Sequence, residues 1–166
     1  MNMEIERKYK LGRFPQVEIE NGSLRLLTRQ EIDQTYLAFS KQEEIRIRRL
    51  SSEAGDTFTH TFKRGHGMSR EEIEYSISSD IYEQLLGHSG KKPLRKTRTS
   101  LEAGGLHYDI DEYEQFDLRV VEVEFRSEEE ANGFQPPSWF GPEVGSEEEY
   151  RNKQLWIHVQ NNGKEV

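Results

Sequence analysis

Charged residues in this chain recur in same-sign pairs two positions apart, a spacing that puts both members on one face of an extended strand. Glu4 and Glu6 share such a face with Lys8. Arg46 pairs with Arg48, Lys96 with Arg98, Asp109 with Asp111, and Glu122 with Glu124. Thr59, Thr61 and Lys63 make a further face, and Arg70, Glu72 and Glu74 another. The intervening residues are largely apolar: Ile5 and Tyr9, Ile45 and Ile47, Phe58 and Phe62, Val121 and Val123. In an ordinary antiparallel sheet such charges face water. Solvent faces, however, usually mix Thr, Ser, Gln and Lys, whereas here single strands carry runs of one sign. A sheet closed into a barrel with the charged face inward would set the cations opposite the carboxylates. A polyphosphate needs guanidinium and ammonium donors around it. Mg²⁺ or Mn²⁺ needs oxygen ligands, which Glu4, Glu6, Asp111, Glu122 and Glu124 could supply.

The elements that must position these groups read mostly with period two. Strands are predicted over 4–11, 35–40, 44–50, 57–64, 70–76, 94–101, 106–113 and 118–126. Gly104-Gly105 between two runs predicts a hairpin, and Gly65-His66-Gly67 a turn with no helix start behind it, hence not a phosphate loop. Helices are fewer. Residues 79–86 carry a capping serine and helical spacing that ends at Gly87. Ser127 with Glu130, and Ser146 with Glu149, match the capping box. The last helix is expected from about Glu147 towards Val159, presenting Leu155 and Trp156. The helices are expected to cover the apolar outer face of the barrel. The stretch 12–33 carries no motif, and the aromatic Trp139-Phe140 loop reads as packing.

Composition bounds the function. The 166 residues fit one domain, 1–166, and charged and hydrophobic residues each make up 33%, so the charge has to be housed on the surface or inside. A formal net charge of −8 argues against nucleic-acid and anionic-membrane partners. The absence of cysteine removes disulfides, thiolate zinc sites and thiol nucleophiles. No run reaches transmembrane length and the N-terminus lacks a signal-peptide pattern, which makes the cytoplasm the expected compartment. His60, His66, His88, His107 and His158 share no metal-ligand spacing and read as structural or exposed; His107 alone has the parity of Asp109 and Asp111.

The start Glu4-Ile5-Glu6-Arg7-Lys8 resembles the ExExK signature of the CYTH superfamily, the triphosphate tunnel metalloenzymes. The resemblance continues in order through Tyr36-Leu37, Arg46-Ile47-Arg48, Thr61-Phe62-Lys63, residues 69–74, residues 95–98, Asp109-Ile110-Asp111, residues 121–125 and residues 152–155. It implies an α+β fold: a closed antiparallel barrel of about eight strands forming a tunnel, with a few flanking helices. It implies a positive lining of Lys8, Arg46, Arg48, Lys63, Lys96, Arg98 and Lys153. Glu4, Glu6, Glu122 and Glu124 would form the metal side, with Asp111 as an addition. Arg70, Glu72 and Glu74 either bind substrate or order their neighbours.

The implied activity is metal-dependent hydrolysis of inorganic triphosphate to pyrophosphate and phosphate, in likeness to bacterial inorganic tripolyphosphatases. The alternatives are a class IV-type adenylate cyclase, a thiamine or nucleoside triphosphatase, and a polyphosphate-binding module without turnover. Two groups are candidates to take the proton of the attacking water. Glu4 is preferred, on the ground that triphosphate and carboxylates raise the pKa of Lys96, whose crowding by Lys8, Arg46 and Arg98 would otherwise make it a usable base.

Overall fold

A computed structural model describes residues 2–65 and 67–162. A strand forms over each of the eight predicted runs, with β2 starting well ahead of its run: β1 (Asn2–Lys10), β2 (Arg25–Phe39), β3 (Glu43–Ser52), β4 (Gly55–Arg64), β5 (Ser69–Ser76), β6 (Leu94–Ala103), β7 (Leu106–Tyr113) and β8 (Arg119–Phe125). They close into a barrel in the order β1-β5-β4-β3-β2-β6-β7-β8, each neighbouring pair antiparallel. The stretch without a motif holds the short helix α1 (Gln16–Glu20) and the first half of β2. Gly104 and Gly105 take φ of 57° and 78° at the β6–β7 turn, a left-handed pair that a two-residue hairpin needs. His66 lies outside the described residues.

The apolar residues that alternate with the charged ones face outward, and the larger core forms there. Tyr9, Tyr108, Ile110, Val121, Val123 and Phe125 are buried against α3 (Glu128–Gly133), α1 and the Trp139-Phe140 loop. Ser127 caps α3 as predicted, accepting from Glu130 N. That loop is clamped to β1 by the bonds Gly141 N–Lys10 O and Lys10 N–Pro142 O. A Cβ on Gly141 would sit 2.7 Å from Lys10 O, so only glycine permits this approach.

Three helix expectations change. Ser78, not Ser79, caps α2 (Ser79–Ser89), which runs through Gly87 and stops at left-handed Gly90. Ser146 starts no helix. Residues Glu148–Tyr150 form a 3-10 turn, and α4 (Asn152–Asn162) begins after it. This segment is tied to β1 instead, through Val144 N–Lys8 O and Lys8 Nζ–Tyr150 O. The helices also do not simply coat the outer face. Ile73 and Tyr75 on the outer side of β5 stay exposed. Helix α4 packs Leu155, Trp156 and Val159 on Tyr36, Leu94, Tyr113 and Val120. Leu94, Tyr113 and Val120 have the parity of Lys96, Asp111 and Glu122, so α4 sits against the inward face and plugs one end of the barrel. Among the described residues no helix is long and apolar enough to cross a membrane.

Candidate functional site

The barrel encloses a cavity of about 350 Å³. Registry explains its lining. Glu6 stands across from Glu124, Lys8 from Glu122, Glu44 from Lys63, Arg46 from Thr61, and Lys63 from Glu72. Cross-strand partners share a face, so the charges converge from every side. Glu4, Glu6, Lys8, Arg46, Arg48 and Lys63 all line the cavity, as do Arg70, Glu72, Glu74, Lys96 and Arg98. Glu122, Glu124 and Lys153 complete the sequence-predicted set there. Asp111 does not line it.

Several cations are already matched. Lys63 lies 3.2 Å from Glu4 and 3.5 Å from Glu72; Arg48 lies 3.0 Å from Glu74, whose carboxylate also takes the Thr61 hydroxyl at 2.7 Å. Arg70 contacts Glu44 at 3.5 Å. Others are not. The Nε atoms of Arg46, Arg48 and Arg70 are buried with no hydrogen-bond acceptor, and Arg46 makes no ion pair among the described residues. Buried donors without acceptors are costly, so these mark a demand for an anion. Burial, with Arg46 and Arg98 nearby, pulls Arg48 down to about 10.

The carboxylates show the opposite excess. Burial pushes Glu6 well above the ordinary range, helped by the charges of Glu122 and Glu4. Burial and a hydrogen bond with Glu4 raise Glu72 to about 7. Burial acts the same way on Glu4, but Lys63 and hydrogen bonds from Glu72 and Glu6 outweigh it and hold Glu4 well below that range. Its Oε2 is nonetheless buried without a hydrogen bond. Among the described residues no three acidic or histidine side chains converge tightly enough to form a metal-sized group. Instead they crowd in pairs, Glu6 with Glu122 and Glu72 with Glu4, and in each pair burial and the neighbouring carboxylate raise one member. The all-oxygen donor set of Glu4, Glu6, Glu122 and Glu124 fits a hard divalent ion.

Near the plugged end sits a different cluster. Asp111 is 0% exposed and receives Arg98 Nε and Nη2 at 2.8 Å each and Lys96 Nζ at 2.8 Å. It is therefore a buried counter-ion behind the wall, not an exposed ligand. Burial raises it, but Arg98 and Lys96 win and hold it well below the carboxylate range. Lys96 moves the other way. Burial is the dominant influence, Asp111 opposes it while sharing its charge with Arg98, and the ammonium falls to about 7. Asn152, the first residue of α4, accepts from Lys96 Nζ at 3.4 Å and from the Tyr113 hydroxyl.

Sequence reasoning missed Glu44 and Arg151, and named no role for Tyr36 or Asn152, all of which line the cavity. Glu44 was within reach, since it has the parity of Arg46 and Arg48; Arg151 and Asn152 belong to a turn and a helix start with no strand parity to read. Asp109 is held by Ser100 at 2.6 Å and His107 at 2.9 Å, so His107 supports a carboxylate as part of the wall.

The description "CYTH domain" matches residues 2–135. An inorganic triphosphatase of Nitrosomonas europaea is 35% identical over 161 residues, covering 94% of this chain and 98% of that protein. One of Acetivibrio thermocellus is 28% identical over 168 residues, covering 99% and 100%. The crystal structure of the inorganic triphosphatase NE1496 superposes with a TM-score of 0.63 at 32% identity, covering 95% of this chain and 96% of that one. With an eight-stranded closed barrel, an inward charged face and a matching family model over most of its length, the chain belongs to the CYTH domain family.

Proposed function

We propose that this protein hydrolyses inorganic triphosphate to pyrophosphate and phosphate inside the barrel, in a metal-dependent reaction. The observation that carries the reading is the pairing of buried Nε donors without acceptors on Arg46, Arg48 and Arg70 with carboxylates crowded against one another in the same cavity, where burial and the charges of Glu122 and Glu4 raise Glu6. An anion answers the first and a cation the second. The curated relatives named inorganic triphosphatase support the substrate. Tyr36 is the sole aromatic among the described lining residues, and its ring packs on Trp156 at 5.6 Å between centroids. That leaves no open stacking platform for an adenine or thiazolium ring, which argues against the cyclase and organic triphosphatase readings.

In this reading Arg46, Arg48, Lys63, Arg70 and Arg98, with Lys8 and Lys153, hold the phosphates, and Glu72 and Glu74 orient Lys63 and Arg48. Glu4, Glu6, Glu122 and Glu124 would hold Mg²⁺ or Mn²⁺, which when bound neutralises phosphate charge and acidifies water. Binding that cation would displace Lys63 from Glu4 and free it for phosphate. We assign the proton acceptor to Lys96 in preference to Glu4. A carboxylate held far below its usual range is a weak base, whereas an amine brought to about 7 by burial is matched to neutral pH. The unit of function is the whole of 1–166, because α4 lies beyond the matched residues yet brings Arg151, Asn152 and Lys153 to the cavity. Absence of cysteine suits a reducing, cytoplasmic setting.

The test is a panel: phosphate and cyclic nucleotide release from inorganic triphosphate, ATP and thiamine triphosphate, with Mg²⁺, Mn²⁺ or EDTA. Inorganic triphosphate should exceed the others in kcat/KM by at least about tenfold, a difference of about 1.4 kcal/mol in transition-state stabilisation. A cyclic nucleotide product, or turnover undiminished in EDTA, overturns the reading.

A further inference from the structure

Lys96 is anchored by two acceptors from different parts of the fold. Asp111 Oδ2 on β7 lies 2.8 Å from Nζ. Asn152 Oδ1, at the head of α4, lies 3.4 Å from it. An ammonium has three tetrahedral N–H directions. With two committed to the wall and the plug, the third direction is left for the cavity that Lys96 lines. The amide of Asn152 is itself fixed, because the Tyr113 hydroxyl donates to the same Oδ1. Tyr113 is the cross-strand neighbour of Lys96, and burial keeps its phenol protonated, so it remains a donor. Its ring also packs beneath the amine, 5.7 Å from Nζ to the centroid, and against the apolar side of α4.

We infer that Asn152 is a positioning residue for the reaction: held by Tyr113, it orients Lys96 Nζ toward the substrate and makes correct seating of α4 a condition for turnover. This rests on the assignment of Lys96 under Proposed function and adds a role for the plug. The Asn152 amide oxygen contacts Lys96 and Tyr113 and none of the phosphate-holding groups, so its loss affects the chemical step more than ground-state binding.

Steady-state kinetics with inorganic triphosphate and thermal unfolding, on four variants, test it. Asn152→Ala should lower kcat on the order of 10- to 100-fold, the scale of a misplaced reacting group, with KM within about threefold. Tyr113→Phe keeps the ring and loses the donor, and should lower kcat by less. The double variant should be no slower than Asn152→Ala alone, because both act through one oxygen. Wild-type kcat in Asn152→Ala, a loss confined to KM, or independent, multiplying losses in the double variant would each overturn the inference, as would a kcat loss that merely tracks a fall in unfolding temperature. Lys96→Arg, run alongside, separates the two levels. If it keeps full turnover, Lys96 is not the base and the Asn152 role goes with it. If it is inactive while Asn152→Ala is normal, Lys96 stands and only the latch is refuted.

Discussion

Asp111→Asn separates a counter-ion from a metal ligand. Asp111 is fully buried and neutralises two cations at once, Arg98 through a two-pronged contact and Lys96 through one. Asparagine keeps the shape and one acceptor but removes the charge and turns an N–H₂ towards one of the cations. Removing one partner of a buried pair typically costs about 3–5 kcal/mol. The two cations do not suffer equally. Arg98 retains Asp109 at 3.5 Å and Glu122 at 3.9 Å. Lys96 retains the neutral Asn152 amide, the Tyr113 ring and the charge of Glu122, but no carboxylate in contact among the described residues. Because Lys96 already sits at about 7, it escapes by shedding its proton, which caps the loss near the lower figure at neutral pH. Roughly 3 kcal/mol corresponds to a fall of about 6–12 °C in unfolding temperature for a chain of this size.

The pH dependence follows from linkage. In the wild type, the carboxyl of Asp111 is depressed on folding, so its stabilisation is present above its unfolded pKa, about 4, and is lost as pH falls through the folded value. In the variant, Lys96 binds its proton more weakly folded than unfolded, so stability rises with pH. The deficit relative to wild type should therefore be largest near pH 5–6, shrink towards pH 8 and shrink again below about pH 4. Calorimetric unfolding from pH 3 to 9 measures this, and Mn²⁺ titration of the folded variant measures metal affinity. Affinity should stay within about twofold of wild type. An unfolding temperature within about 2 °C of wild type, together with Mn²⁺ affinity lowered tenfold or more, would refute the counter-ion argument and return Asp111 to the metal.

Lys96→Arg keeps the charge but cannot deprotonate in the working range, so kcat should fall on the order of 100-fold or more while calorimetric triphosphate binding persists. In the wild type, kcat/KM should rise with pH through about 7 as free Lys96 loses its proton, and the matching limb of kcat should lie higher because bound triphosphate favours the ammonium; retained turnover with an unshifted limb in the variant counts against Lys96. Glu122→Gln and Glu124→Gln should each abolish turnover at low metal and recover part of it at high metal, with unfolding temperature preserved; phosphate release across a Mg²⁺ series checks this, and full activity in EDTA defeats it.

What the sequence carried was face, not depth. Pairs two apart correctly assigned Arg46 and Arg48, Lys96 and Arg98, and Glu122 and Glu124 to one inward surface, because parity survives any barrel closure. Asp111 has the right parity too, but it stands opposite Arg98 and Val120, where the cavity turns apolar under α4. Position along the barrel axis depends on registry between strands distant in sequence, which no local pattern encodes. The first half of β2 was invisible for a related reason. Arg25–Gln30 does not alternate and is largely exposed, with a bulge between Leu26 and Thr28, so its extended form comes from the ladder to β6. The Ser146–Glu149 capping pattern failed because the chain there is committed to β1, and an apparent N-cap has no effect where the following backbone is held elsewhere.

The low hydrophobic content then has a structural cause. A chain with 33% hydrophobic and 33% charged residues would ordinarily lack material for a core. Here the usual arrangement is inverted, with a charged face turned in on every strand but β2 and the apolar core built between the outside of β1, β6, β7 and β8 and its covering segments. The charged interior is tolerable because opposite charges are set across from each other by registry, Glu44 to Lys63 and Arg98 to Asp111 among them. What registry leaves unbalanced is the Glu6–Glu124 and Asp109–Glu122 side against the Nε donors of Arg46, Arg48 and Arg70 that find no acceptor. That residual imbalance is itself the binding specification, because a divalent cation and a polyanion bound together neutralise it, and either one alone would leave one wall frustrated. Metal and triphosphate should accordingly bind with positive coupling, each relieving the like-charge repulsion that the other cannot reach.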